Sequence, residues 1–228
     1  MQALLYTLLP LGAVLIGTFW ALFRRPGTTF VSATQHLAAG VVFAAAAVEI
    51  LPQIKHEASP TATLIGGAVG VGVMLAIKAL EDRSSGPFAM LAATGIDIFI
   101  DGLVLGLAFI AGERAGILLV VALTLEVLFL GLSITSELQE GKTRSRRIFA
   151  TAMGLGILLP LGALTATPVA LLPPVIITGF LSSGLMALLY LVTEELLVEA
   201  HEEKESVTLG AMFFLGFLVV YVLAALGE

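Results

Sequence analysis

The stretch Gly95-Ile96-Asp97-Ile98-Phe99-Ile100-Asp101-Gly102 lies in the middle of an apolar run that extends from Pro87 to Ala111. A run of this length is enough for a helix to cross a bilayer. A charge at the bilayer centre costs roughly 2.5 to 3.5 kcal/mol on insertion scales, so acids within a span usually face a water-filled path and bind an ion or a proton. The stretch therefore predicts a membrane-spanning helix with one face that handles cations.

The whole chain has the composition of a membrane protein. Of its 228 residues, 58% are hydrophobic and 12% are charged, whereas an average soluble domain has about 25% charged residues. Spans and short connections use nearly the whole length, so we expect a single transmembrane domain over residues 1–228. The segment from Met1 to Trp20 lacks the basic start and the cleavage site of a signal peptide, and we interpret it as the first span.

Charge and cysteine content exclude several function classes. A net charge of −6 argues against nucleic acid as a partner, since phosphate binding needs clustered Lys and Arg on one face. The chain has no cysteine, which excludes disulfides, thiolate metal sites and cysteine nucleophiles. We expect no prosthetic group and no enzymatic activity. An intramembrane hydrolase is the least favoured alternative, because the paired aspartates share one helix and no second catalytic motif is evident.

Apolar runs and the polar breaks between them predict an all-α fold, a bundle of eight transmembrane helices with both termini on one side. The predicted spans are residues 2–23, 30–54, 61–80, 87–111, 116–138, 147–167, 174–198 and 207–226.

Lys and Arg predict the orientation, because positive residues concentrate in cytoplasmic loops. One side of the bundle carries nine of them: Arg24, Arg25, Lys78, Arg83, Lys142, Arg144, Arg146, Arg147 and Lys204. The other side carries only Lys55 and Arg114. We therefore expect both termini outside the cytoplasm and the basic loop Gly141 to Arg147 inside.

The two aspartates and one glutamate form the predicted metal site. Asp97 and Asp101 are four residues apart on a helix, so their Cβ atoms lie about 5 to 6 Å apart on one face. Two adjacent acids in a low dielectric cannot both stay ionised cheaply, so the empty site should take up a proton and release it when a metal binds. Glu126 lies midway along the next span, at a similar depth if the two helices are antiparallel. We predict Asp97, Asp101 and Glu126 as metal ligands.

Acids near span ends extend this site into a predicted path. Glu49 lies toward the outer end of the second span, where it could admit the cation. The acids and the histidine at the inner end of the seventh span could release it: Glu194, Glu195, Glu199 and His201, followed by Glu202 and Glu203. The alternative for all of these positions is that an acid near an interface simply reaches water.

Other polar residues receive simpler interpretations. We expect His36 and His56 to be ordinary solvated residues at span ends, since three histidines in all cannot form a His-rich site. Glu137 and Glu140 are interpreted as a solvated helix end. The pairs Gly66/Gly70 and Gly102/Gly106 have the spacing that lets membrane helices pack closely.

These motifs resemble those of the ZIP (Zrt/Irt-like) divalent metal transporters. The family's fourth span carries His-Asn-x-x-Asp/Glu-Gly, and here the segment from Asp97 to Gly102 occupies that frame, with Asp for the first His and Ile for the Asn. The family's fifth-span motif, His-Asn/Glu-x-Pro-Glu-Gly-Leu, is similar to the segment from Glu126 to Leu132. The family's second-span motif, His-Leu-Leu-Pro-Glu, is similar to Glu49-Ile50-Leu51-Pro52-Gln53, and the seventh span ends near Tyr190 and Glu195 to His201.

The resemblance implies transport of divalent metal cations toward the cytoplasm, with spans two, four, five and seven around the site. One metal position of the family's two is implied to survive, as Asp97, Asp101 and Glu126. Ile98, Val127 and Leu130 replace the polar residues expected for the other. Oxygen ligands favour harder cations such as Mn, Mg, Ca or Fe(II), although Zn also accepts carboxylates.

Two alternative functions remain open. The acids could form the proton relay of a carrier for another solute, or a ZIP relative could bind metal without transporting it. The expected partners are the lipid bilayer and divalent metal ions. A homodimer is an open alternative, because faces of small residues can pack within one protomer or between two. The compact chain, without a long cytoplasmic loop, suggests a bacterial inner membrane.

Overall fold

The computed structural model describes residues 2–24, 27–56, 59–83, 87–201 and 206–226. Within these ranges the chain forms helices joined by short turns, and none of these residues is in a strand. Eight helices in this described part of the chain are long and apolar enough to cross a membrane. The predicted all-α polytopic bundle is therefore confirmed, while the side on which the termini lie stays a prediction.

The eight helices follow the predicted spans closely. They are α1 Leu4–Phe23, α2 Thr28–His56, α3 Pro60–Arg83, α4 Pro87–Ala111, α5 Glu113–Glu140, α6 Ser145–Leu171, α7 Pro174–Ala200 and α8 Val207–Leu226. The fifth and sixth spans were predicted two to four residues short at each end. Polar residues such as Glu113 and Ser145 continue those helices beyond the apolar runs. A prediction from hydropathy leaves such residues out of the helix.

Two of the described helices contain a π-helical segment, in which each backbone hydrogen bond joins residues that are five positions apart instead of four. In α2 the segment is Ala46–Ile50, and the Leu51 N–H donates to the Ala46 carbonyl. Pro52 follows at once, and its missing N–H disfavours regular α-helix at this point. In α7 the segment is Leu191–Leu196, with no proline nearby. Such segments occur frequently at functional sites, and these two carry three of the acids selected from the sequence.

Helices α2, α4, α5 and α7 form the inside of the bundle. Between 50 and 56% of the residues in their apolar windows are buried, against 17 to 39% in the other four helices. The expectation that spans two, four, five and seven are central is therefore confirmed. These four helices can place side chains in an interior cavity, whereas α3 and α8 mostly face the surroundings.

Glycines bring each inner helix against one partner. In the α4–α6 pair, a Cβ on Gly102 would collide with the Leu159 carbonyl, and a Cβ on Gly162 would collide with the Phe99 carbonyl. The two backbones are thus in direct contact, as the Gly102/Gly106 spacing predicted.

The other three pairs are built in the same way. The glycines concerned are Gly17 and Gly131 in the α1–α5 pair, Gly40 and Gly216 in the α2–α8 pair, and Gly66 and Gly70 in the α3–α7 pair. Each inner helix is therefore held against one neighbour by backbone contact.

Replacing Gly162 by Ala should destabilise the protein, because the new methyl group has no space against the Phe99 carbonyl. Overpacking of this kind costs about 1 to 3 kcal/mol. Gly154→Ala in the same helix is the matched control, since a Cβ there meets nothing within 4 Å. Thermal unfolding in detergent should show a lower midpoint for Gly162→Ala only. Equal midpoints for the two variants would contradict this packing.

The orientation can be tested on one helix, because the chain has no native cysteine. Glu113 and Glu140 are exposed acids at opposite ends of α5. A membrane-impermeant maleimide added to intact cells should label Glu113→Cys, and should label Glu140→Cys only after the membrane is permeabilised. The reverse pattern would show that the termini are cytoplasmic.

Candidate functional site

A cavity of about 290 Å³ lies between α2, α3, α4, α5 and α7. Seven of the described residues that line it carry a carboxylate: Asp97, Asp101, Glu126, Glu137, Glu194, Glu195 and Glu199. Lys78 is the one basic residue among the described lining residues. The cavity is therefore strongly acidic, although the bundle around it is apolar.

The cavity runs from mid-membrane depth to one end of the bundle. Its deepest acids are Asp101 and Glu126, which are 3% and 7% exposed. Its lining extends to Lys78, Glu137 and Glu199, which lie close to the ends of α3, α5 and α7. The cavity therefore connects the inner acids with that end of the bundle.

The three predicted ligands share this cavity. Asp97 and Asp101 both line it from α4, as their four-residue spacing predicted, and Glu126 faces it from α5. Glu126 Oε2 is buried and has no hydrogen-bond partner among the described residues. A buried carboxylate oxygen in this position needs a proton, water or a cation.

The carboxylates surround the cavity without forming a closed ligand shell. Among the described residues, no group of three or more His, Asp or Glu side chains is placed to hold a metal ion directly. A water molecule occupies about 30 Å³ in the liquid, so the cavity has room for a cation that keeps part of its hydration shell. Mg²⁺ usually binds in this way, through one or two carboxylates and several waters.

The π-helical segment of α7 and the residues after it supply the outer acids of the cavity. Glu194 and Glu195 lie within the segment, and Glu199 lies one turn further on. Gln35 of α2, which is 6% exposed, donates from Nε2 to Glu199 Oε2 at 2.6 Å. The three acids Glu194, Glu195 and Glu199 of the predicted inner path therefore line the same cavity as the central acids. His201, predicted with them, is not among its described lining residues.

Lys78, Gln35 and Glu137 line the cavity but are not among the site residues predicted from the sequence. In the sequence, Lys78 contributes only to the predicted orientation, Gln35 carries no signal of a site, and Glu137 is predicted to be a solvated helix end. Glu137 is indeed exposed, but it also lines the mouth of the cavity. Its spacing could have indicated a place in the site, because Glu137 lies on the same face of α5 as Glu126. The residues Glu126, Leu130, Ser133 and Glu137 follow each other at intervals of three or four along that face.

Glu49 lies apart from the other acids. Its Oε1 accepts from Arg114 Nε at 3.1 Å, which joins α2 to the start of α5, and it is not among the described residues that line the cavity. In the sequence, Arg114 is only one of the two basic residues on the predicted outer side. The expected entry residue is thus half of an ion pair at the end of the bundle opposite the cavity mouth.

Apolar side chains separate the cavity from that ion pair. Leu105 of α4, Leu119 of α5, Ile50 of α2 and Leu188 of α7 are at most 1% exposed and belong to one buried cluster. In each helix they lie on the far side of the cavity from its mouth. The bundle is therefore sealed at one end and open at the other.

The expectation of solvated histidines is wrong for His36. This residue is 4% exposed, and its ring lies 5.1 Å from the ring of His201, measured between centroids. The α2–α7 contact buries it, and a span-end position alone could not show this. His201 is exposed at the end of α7. Glu202 and Glu203, predicted to continue the path, lie outside the described residues.

No known family model matches this chain, and no curated protein matches it.

Arg114→Ala should destabilise the protein, because it leaves the Glu49 carboxylate, whose side chain is 11% exposed, without the guanidinium. Loss of a partner for a buried polar group costs about 1 to 3 kcal/mol. Adding Glu49→Gln to Arg114→Ala should recover part of that loss, since the buried charge is then removed. Lys55→Ala, which removes an exposed charge at the same end of the bundle, is the control for thermal unfolding. A double variant no more stable than Arg114→Ala would contradict the coupling.

Proposed function

We propose that this protein is a ZIP-like transporter that carries divalent metal cations across a membrane, through the acidic cavity between α2, α3, α4, α5 and α7. The observation that carries the proposal is the set of seven carboxylates around one interior cavity, two of them buried near mid-span. Acids at such depth are costly and usually mark an ion path.

The charge of the cavity supports a cationic cargo. Seven carboxylates face one ammonium group among its described lining residues, so the empty cavity has a strong negative potential unless protons reduce it. A divalent cation would offset two of those charges and displace the protons. The arrangement of the ligands favours a cation that stays partly hydrated, which fits Mn²⁺ or Mg²⁺ as well as Zn²⁺.

The distribution of basic residues supports a direction. Arg24, Lys142, Arg144, Arg146 and Arg147 lie at the end of the bundle where the cavity opens. Under the positive-inside rule this end is cytoplasmic, so the structure would be an inward-facing state from which cargo is released. In this state the outer side would be closed by the apolar side chains around Leu105 and Leu119 and by the Glu49–Arg114 ion pair.

Loading from outside then requires a second state. In that state the apolar side chains around Leu105 and Leu119 would move apart, and the Glu49–Arg114 ion pair would separate. Transporters generally expose one site alternately by moving one helix group against another. The four helix pairs that pack through glycines are candidates for the units that move. Two helices in backbone contact move together more easily than they separate.

Flux through the cavity can be tested with the double variant Asp97→Asn/Asp101→Asn. Asn keeps the size of the side chain and removes the charge. Uptake of Mn²⁺ and Zn²⁺ into proteoliposomes should fall at least about tenfold, which corresponds to about 1.4 kcal/mol of lost interaction. Glu140→Gln removes an exposed acid outside the cavity lining and should transport at the wild-type rate.

The alternatives give different results in the same vesicles. Metal binding without flux in the wild type would favour a relative that does not transport. Proton flux that depends on another solute and not on metal would favour a proton-coupled carrier. Equal metal uptake by the double variant and the wild type would show that these aspartates are not the path.

A further inference from the structure

A second cavity, of about 420 Å³, lies beside the contact between α2 and α7. Its lining includes His36, Ala200, His201 and the first residues of α8. It is adjacent to the acidic cavity, because Gln35 and Glu199, the sequence neighbours of His36 and Ala200, line the acidic cavity instead. The α2–α7 contact therefore stands between the two cavities.

Three interactions between described residues join the two helices at this contact. Ser32 Oγ donates to the Ala200 carbonyl at 2.7 Å, Gln35 donates to Glu199 at 2.6 Å, and the rings of His36 and His201 meet edge to face. Because the hydrogen bonds hold the two helices in register, the two imidazoles are held together even though one is buried and the other is exposed.

Each imidazole is oriented by a carbonyl of its own helix. His36 Nδ1 lies 2.9 Å from the Ser32 carbonyl, and His201 Nδ1 contacts the Leu197 carbonyl. A carbonyl can only accept, so Nδ1 carries the hydrogen in both rings. In the neutral rings the lone pair is then on Nε2. Metal-binding histidines are oriented in this way, with the second nitrogen donating to a carbonyl or carboxylate.

We infer that His36 and His201 form a two-imidazole binding site for a transition-metal cation beside the mouth of the acidic cavity. Two imidazoles bound to one ion at about 2.0 to 2.1 Å have their ring centres roughly 5 to 6 Å apart, and the observed separation is 5.1 Å. The adjacent cavity gives room for the ion and for waters that complete its coordination.

Two protein ligands make a labile site, which suits exchange better than permanent storage. Imidazole favours Zn²⁺, Cu²⁺, Ni²⁺ and Fe²⁺ over Mg²⁺ and Ca²⁺, so this site would select transition metals at a place where the carboxylates alone discriminate weakly. A role in binding the metal ion transiently as it leaves the acidic cavity rests on the proposed transport function. The binding of a metal ion to the two histidines does not.

The experiment uses the full chain in detergent, purified without a histidine tag, with less than one equivalent of Cu²⁺ as the probe. Electron spin echo modulation from the remote imidazole nitrogens reports how many histidines bind the ion. The chain has three histidines, so each can be replaced separately by Gln. The wild type and His56→Gln should both show two imidazoles, whereas His36→Gln and His201→Gln should each lose at least one.

A spectrum without imidazole in the wild type would overturn the inference, and so would a spectrum unchanged in His201→Gln. His201 is exposed, so this variant keeps the test decisive even if His36→Gln does not fold. Asp97→Asn/Asp101→Asn should retain the two-imidazole spectrum while losing flux. Failure of transport and failure of this site are therefore distinguishable.

Discussion

An ionised carboxylate at the depth of Asp101 or Glu126 loses most of its hydration unless water or a cation reaches it, and that requirement shapes the surrounding structure. The bundle meets it with a cavity lined by five helices. The acids face this cavity, while Leu105 and Leu123 on the same two helices are packed in the apolar cluster. A chain with acids at these positions and no cavity would have to keep them protonated.

Backbone contact between helix pairs makes such a cavity compatible with a stable bundle. The tight α4–α6 and α1–α5 pairs bury little side-chain volume at their glycines, and larger side chains fill the sealed end around Leu105 and Leu119. Without a strong hydrophobic driving force inside a bilayer, close packing of this kind contributes much of the helix association. The result is an asymmetric bundle with one end closed and the other open to water.

The π-helical segments are the part of the architecture that the sequence predicts least well. Pro52 gives a physical reason for a distortion in α2, but α7 carries no comparable signal at Leu191–Leu196. Each segment turns the following residues relative to a regular helix, which alters the direction of nearby side chains. In α7 this places Glu194 and Glu195 in the cavity wall. In α2 the segment carries Glu49, which meets Arg114 instead.

Hydropathy and spacing determined the local properties of this protein. Helix number, the approximate helix bounds and the shared face of Asp97 and Asp101 follow from the length of apolar runs and from the 3.6-residue period. Both are properties of one segment at a time. Tertiary structure alone decided which distant side chains meet. Lys78 joins the acids, Glu49 meets Arg114 and His36 is buried against His201 because helices far apart in sequence pack side by side. Such contacts depend on the relative rotation and register of whole helices, which no single segment encodes.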